Sequence, residues 1–138
     1  MIEHIVTQAL LSNAALSGMV SKFIGRPSIW VNSAPNDCPN PYIVVSDNMT
    51  SIEDDRMFAN FTVDVDCFDY DTSTVVINKI ALQVECVLDG ERLLGDNYDY
   101  IRINLSSSTL VPESDIKELH YNLRFDARAT RKKWIQQQ

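Results

Sequence analysis

Residues 56–70 read RMFANFTVDVDCFDY. Met57, Ala59, Phe61, Val63, Val65 and Cys67 alternate with Phe58, Asn60, Thr62, Asp64, Asp66 and Phe68. A β-strand sends successive side chains to opposite faces, so this period of two specifies one long, half-buried strand. At roughly 3.3 Å per residue it spans about 40 Å, more than a small sheet needs. Part of it is therefore expected to project past its neighbours as an arm. The alternation returns at 117–129, KELHYNLRFDARA. There Leu119, Tyr121, Leu123, Phe125 and Ala127 point inward, and His120, Asn122, Arg124, Asp126 and Arg128 point outward. Antiparallel pairing of the two strands would set Asp64 and Asp66 across from Arg124 and Arg128. Each such exposed pair contributes tenths of a kcal/mol to about 1, enough to bias register more than stability.

Between these strands lies a helix. Asp71, Thr72, Ser73 and Thr74 supply oxygens for free N–H groups at a helix start. The spacing predicts a helix over Thr72–Leu88 with Val76, Ile77, Ile80, Ala81, Val84, Val87 and Leu88 as its apolar stripe. Asn78, Lys79, Gln83 and Glu85 form its wet side, and Asp89–Gly90 stops it, with Gly90 suited to a left-handed cap. At the N-terminus, Ile2, Ile5, Val6, Ala9 and Leu10 mark a helix over Ile2–Leu11. Asn13 interrupts it, Ala14–Phe23 adds a short second helical turn, and Gly25 and Pro27 end that.

The remaining elements are short. Ser28–Asn32 reads as a strand. Ser33–Pro41, with three prolines and two asparagines, is a loop. Tyr42–Ser46 (YIVVS) is a continuous apolar run, which predicts a strand buried on both faces. Asp47–Asp55 is expected to be a polar loop. Tyr98–Ser106 alternates again, with Tyr98, Tyr100, Arg102 and Asn104 on one face and Ile101, Ile103 and Leu105 on the other. Ser107–Ser114 reads as a loop, and Trp134 falls in a polar end beyond the alternation. The order of elements predicts an α+β domain: a mainly antiparallel sheet of four to five strands, packed against one long helix, with an additional N-terminal helix. The 138 residues make a single domain, with a basic polar tail from about residue 129.

Charge is unevenly spread. Nineteen acids oppose twelve bases, a net of −7. Asp47–Asp99 holds thirteen acids and three bases, whereas Arg124 to the end holds five bases and one acid. An acidic body repels phosphate and is poorly suited to wrapping nucleic acid. The basic end (Arg124, Arg128, Arg131, Lys132, Lys133) and the acidic strand face (Asp64, Asp66) are the candidates for contact between subunits. The alternative is an intramolecular cross-strand pair plus a frayed tail. No apolar window of about 18 residues is present, so no membrane span is expected. The opening residues MIEHIVTQALLSN carry no basic start and are not expected to be a secretory signal.

Catalytic and ligand motifs are missing. Asp64, Asp66, Asp69 and Asp71 fail the calcium-loop pattern, which places Gly and Glu where Asp69 and Val75 stand. His4 and His120 lack triad partners at recognisable spacing. Asp54–Asp55 sits in a loop with no pocket signal, and Gly18, Gly25, Gly90 and Gly95 are too scattered to cradle phosphate. Phe125 and Trp134 are too few for a base-stacking platform. Cys38, Cys67 and Cys86 lack zinc spacing and read as free thiols, with Cys67 and Cys86 as packing residues and Cys38 the exposed one. No cofactor, no metal and no enzymatic activity are expected.

The order of elements resembles the tail completion proteins of long-tailed bacteriophages, also called tail terminators or head–tail joining proteins. The nearest stretches are PYIVV at Pro41–Val45 and VDVD at Val63–Asp66, the latter on the strand that enters the helix. The acidic stretch around Ser51–Asp55 and the basic tail depart from the pattern. The resemblance implies a non-enzymatic virion subunit at the tail or neck, assembled in the bacterial cytoplasm. It implies a homo-oligomeric, hexameric ring that caps the tail tube, meets the head connector, and lets DNA pass without specific binding. An acidic lumen would favour such passage, since like charges repel. A head-side connector or minor capsid protein is the alternative within that class. A small cytosolic ligand-binding or regulatory domain, and a hydrolase using Asp64 or Asp66, are the alternatives outside it.

Overall fold

The structure, a computed structural model, describes residues 1–95, 97–111 and 117–132. The chain opens with helices α1 (Glu3–Leu11) and α2 (Ala14–Met19), then a two-stranded ribbon, β1 (Lys22–Phe23) and β2 (Arg26–Pro27). Strands β3 (Ile29–Val31), β4 (Tyr42–Ile52) and β5 (Phe58–Tyr70) lead into helix α3 (Val75–Leu88). Strands β6 (Arg92–Leu93), β7 (Tyr98–Val111) and β8 (Glu118–Arg131) follow. Six strands form one curled sheet in the order β3-β4-β5-β8-β7-β6. Every neighbouring pair is antiparallel except β3 and β4, which run parallel. The sheet is thus larger than the expected four to five strands and mixed in sense. The loop from Asn32 to Pro41 carries the chain back to the starting end of β3, so β4 leaves in the same direction.

The two long alternating strands lie side by side at the centre. Val63 stands opposite Phe125, Val65 opposite Leu123 and Phe61 opposite Ala127, without a break in register from Phe58 to Tyr70. No part of β5 projects as an arm: β8 pairs along its whole length and β4 along most of it. Its inward side chains Ala59, Phe61, Val63, Val65 and Cys67 are buried, together with Leu123, Phe125, Ala127 and Ala129 of β8. Helix α3 covers this face with Ile77, Ile80, Ala81, Val84 and Leu88, and α1 adds Val6 and Leu10.

Local chemistry accounts for the departures from expectation. Helix α3 starts at Val75 because Asp71 Oδ1 accepts the N–H groups of Thr72 (2.7 Å) and Ser73 (3.4 Å), holding those residues in a turn. Val76 is exposed rather than buried, and so is Cys86, which faces away from the core. Asn13 does interrupt the first helix: its side chain accepts the Leu16 N–H at 2.9 Å and so caps α2. Helix α2 is six residues long, not ten: the chain turns extended at Val20, and Ile24 (φ 52°) and Gly25 (φ 76°) take left-handed conformations that turn it between β1 and β2. Only Ile43 and Val45 of YIVVS are buried; Tyr42 and Val44 lie half-buried on the outer face, which no helix among the described residues covers. The expected polar loops 47–55 and 107–114 are strand through Ile52 and through Val111.

In β7 a bulge between Asp99 and Arg102, with Tyr100 at φ 50°, inverts the alternation. Tyr98 is therefore on the inner side, edge-on to Phe61 at 5.5 Å, and not with Tyr100 and Arg102. Strand β8 runs to Arg131, so residues 129–131 are strand, and the rest of the expected tail beyond Lys132 lies outside the described residues. Trp134 lies outside the described residues. Among the described residues no helix is long and apolar enough to cross a membrane.

Two outcomes follow from this core. Phe125→Ala, at a fully buried position, lowers unfolding free energy by about 3–5 kcal/mol in a denaturant titration. Burial, with the neighbouring Asp66 charge adding to it, pushes the Cys67 thiol pKa well up. A colorimetric thiol reagent at neutral pH therefore labels exposed Cys86 in the native protein and reaches Cys67 only after denaturant is added.

Candidate subunit-contact surface

The outer face of the central strand pair carries most of the predicted contact residues. Register fixed by the buried face places Asp64 opposite Arg124 and Asp66 opposite Asn122. Arg124 grips Asp64 with two donors, Nε at 3.0 Å to Oδ1 and Nη2 at 3.4 Å to Oδ2, and that carboxylate pushes the guanidinium pKa up. Asn122 Nδ2 donates to Asp66 Oδ1 at 2.9 Å and to Asp64 Oδ1 at 3.2 Å. His120 Nε2 lies 2.7 Å from Asp66 Oδ1. The two acids and the three β8 side chains thus form one continuous hydrogen-bonded row across the strands.

The row runs into an aromatic stack. The His120 ring lies over Phe68 at 4.4 Å, and Phe68 over Tyr42 at 5.0 Å, so β8, β5 and β4 are joined on their solvent side. Neither His120, Asn122, Phe68 nor Tyr42 was a predicted contact residue. The signal was nevertheless present: once Val63 is set against Phe125, counting outward brings Phe68 to His120 and Asp66 to Asn122.

The other predicted bases go elsewhere. Arg128 does not meet an aspartate; it stands opposite Asn60, donates to Glu53 Oε2 from Nε (3.2 Å) and Nη2 (2.8 Å), and lies 3.8 Å over the Phe58 ring. Arg131 Nη1 donates to the Arg56 carbonyl at 3.2 Å, and Lys132 Nζ lies 3.5 Å from Asp99. Lys133 lies outside the described residues. The other acids of the run have local roles: Asp69 accepts the Tyr70 N–H at 2.8 Å, and Asp71 holds the turn before α3.

Charge on this face is mixed. Asp64, Asp66, Asp99, Glu118 and Asp126 share it with Arg92, Arg102, Arg124 and Arg128. The acidic surplus collects instead at the β4–β5 turn (Glu53, Asp54, Asp55) and around the end of α3 (Glu85, Asp89, Glu91).

The architecture has a counterpart. It shares its fold with a virion protein chain. That chain belongs to a solved structure described as the virion of a native gene transfer agent (GTA) particle, and the two align over 94% of each with a TM-score of 0.80 at 14% sequence identity. No family model and no curated protein matches the sequence.

Removing Asp66 leaves Asn122 and His120 without their shared acceptor. Asp66→Ala is expected to cost about 1–2 kcal/mol on thermal or denaturant unfolding, while Asp126→Ala on the same face changes stability by less than about 0.5 kcal/mol.

Proposed function

We propose that this chain is a structural subunit of a phage-like virion: a ring-forming tail terminator that caps the tail tube and meets the head connector. The observation that carries the reading is the shared fold over nearly the whole of both chains with a chain from a gene transfer agent virion. The sequence pattern independently resembles tail terminators, and the two lines of reasoning agree on a virion role.

The layered construction suits such a ring. Helices cover one side of the sheet and a polar face forms the other. If that polar face lines the lumen, its acids interspersed with arginines give DNA no positive surface to hold, and the phosphate backbone slides past without a specific contact. Its partners would be further copies of itself, the tube subunit and the connector.

Disruption of the gene in cells producing the particle tests the reading. Electron micrographs are expected to show tails of uncontrolled length or heads without tails. Particles of normal form that never contained the chain would overturn it, and normal tails beside unjoined heads would move the subunit to the head side.

A further inference from the structure

The sheet is closed at its two short edge strands and open beyond them. Strand β6 pairs only with Ile101 and Arg102 of β7, and Asp89 Oδ1 caps the Leu105 N–H at 2.7 Å. From Ser106 to Val111, nothing among the described residues pairs with the side of β7 facing away from β8. On the opposite side of the sheet, β3 pairs only with Ile43–Val45 of β4. From Asn48 to Ile52 the side of β4 facing away from β5 is likewise unpaired among the described residues. Unpaired strand edges are templates for a further strand, and natural proteins blunt them with charge, proline or bulges. These two runs, SSSTLV and NMTSI, contain neither charge nor proline, and each carries a single bulge, between Leu105 and Ser107 and between Met49 and Ser51.

The two edges also match. Strand order and sense make β4 and β7 antiparallel, so a second copy in the same orientation presents β4 to β7 in antiparallel sense. Each edge carries a part-exposed apolar side chain on the inner face, Leu110 at 43% and Ile52 at 39%, which a joining strand would cover. A twofold pairing of β7 with β7 would leave both β4 edges open, whereas head-to-tail pairing uses every edge. We propose that copies of this chain join by adding Ser106–Val111 of one to Asn48–Ile52 of the next, making one continuous sheet through the assembly.

The stagger of the two edges sets the shape of that assembly. Thr109 lies level with Asn122, Asp66 and Val44 across the sheet. Seating it against the middle of the neighbour's Asn48–Ile52 shifts that neighbour by about six residues, roughly 20 Å at 3.3 Å per residue. Each copy contributes four long strands, a lateral step of about 19 Å at 4.8 Å per strand. The strands then incline about 45° to the axis, at the top of the range at which sheets close into barrels. The short strands β3 and β6 do not obstruct the joint, since each sits beside the half of its long neighbour that the joint leaves alone. This inference deepens the ring reading above and rests on it for closure.

Cysteine cross-linking tests it. In a chain with Cys38→Ser and Cys86→Ser, Thr109→Cys is combined with Asn48→Cys or with Ser51→Cys; all three positions face outward. Opposed residues of an antiparallel pair have Cα atoms about 4.5–5.5 Å apart, within disulfide range. Concentrated protein and purified particles are oxidised and run on non-reducing gels beside the single variants, with thermal melts confirming that each variant folds. The expected result is a ladder of dimers, trimers and higher species from at least one double variant and monomer from every single variant. A dimer from Thr109→Cys alone means twofold pairing and overturns the proposal. Rings in micrographs without a ladder overturn the edge joint and leave the ring standing; monomer under all conditions overturns both. A ladder from a chain that never enters particles supports the joint and overturns the virion role.

Discussion

Val63 and Phe125 face each other inside the molecule, and that pairing fixes the register of the central strands. A slip of β8 by one residue would turn Arg124 into the apolar layer under α3 and bring Phe125 out to water, and the same slip of β5 would bury Asp64 and expose the valines. Stranding a carboxylate and a guanidinium there costs far more than any surface interaction returns. The buried face therefore chooses the register, and the outer face inherits it. The Asp64–Arg124 pair, the Asn122 bridge and the stack of Tyr42, Phe68 and His120 are consequences of that choice, each too exposed to have made it alone.

Legibility in the sequence followed the strength of the pattern. Strands β5 and β8 carry uninterrupted periodicity that made their buried side readable, and the stripe of α3 was readable except at Val76, which is exposed. The outer strands were harder. Serines, threonines and asparagines in 47–52 and 107–111 look like loop, and they form strand because a long neighbour already offers a row of backbone partners. The inversion at Tyr98 was not legible, since nothing in YDYIR announces that Tyr100 will adopt a left-handed backbone. Strand β6 consists of two residues and leaves no periodic trace. For the contact surface, Asp64 and Arg124 were found together as anticipated, whereas Arg128 was drawn to Glu53 because the β4–β5 turn brings an acid over Phe58.

The charged groups first suspected of holding subunits together are largely engaged within the chain. Side chains already paired gain little from meeting a second partner, so they are better suited to stiffening the polar wall than to driving association. Backbone groups at the uncovered ends of β4 and β7 are different. They hold no partner of their own among the described residues, and their hydrogen-bonding capacity depends on strand geometry more than on residue type. A joint of that kind can persist while side chains change, which is compatible with a shared fold at 14% identity.

The bulges are distributed in one direction only. Strand β4 has one at Thr50 and β7 has two, whereas the β5–β8 ladder has none. An odd-numbered insertion or deletion in a peripheral strand can be absorbed by gaining or losing a bulge, with everything beyond it returned to phase. The same event in the central ribbon has no such outlet. Over evolutionary time, chain-length drift should therefore accumulate at the rim of the sheet and be purged from its middle, leaving a spine of constant length inside a family whose borders wander.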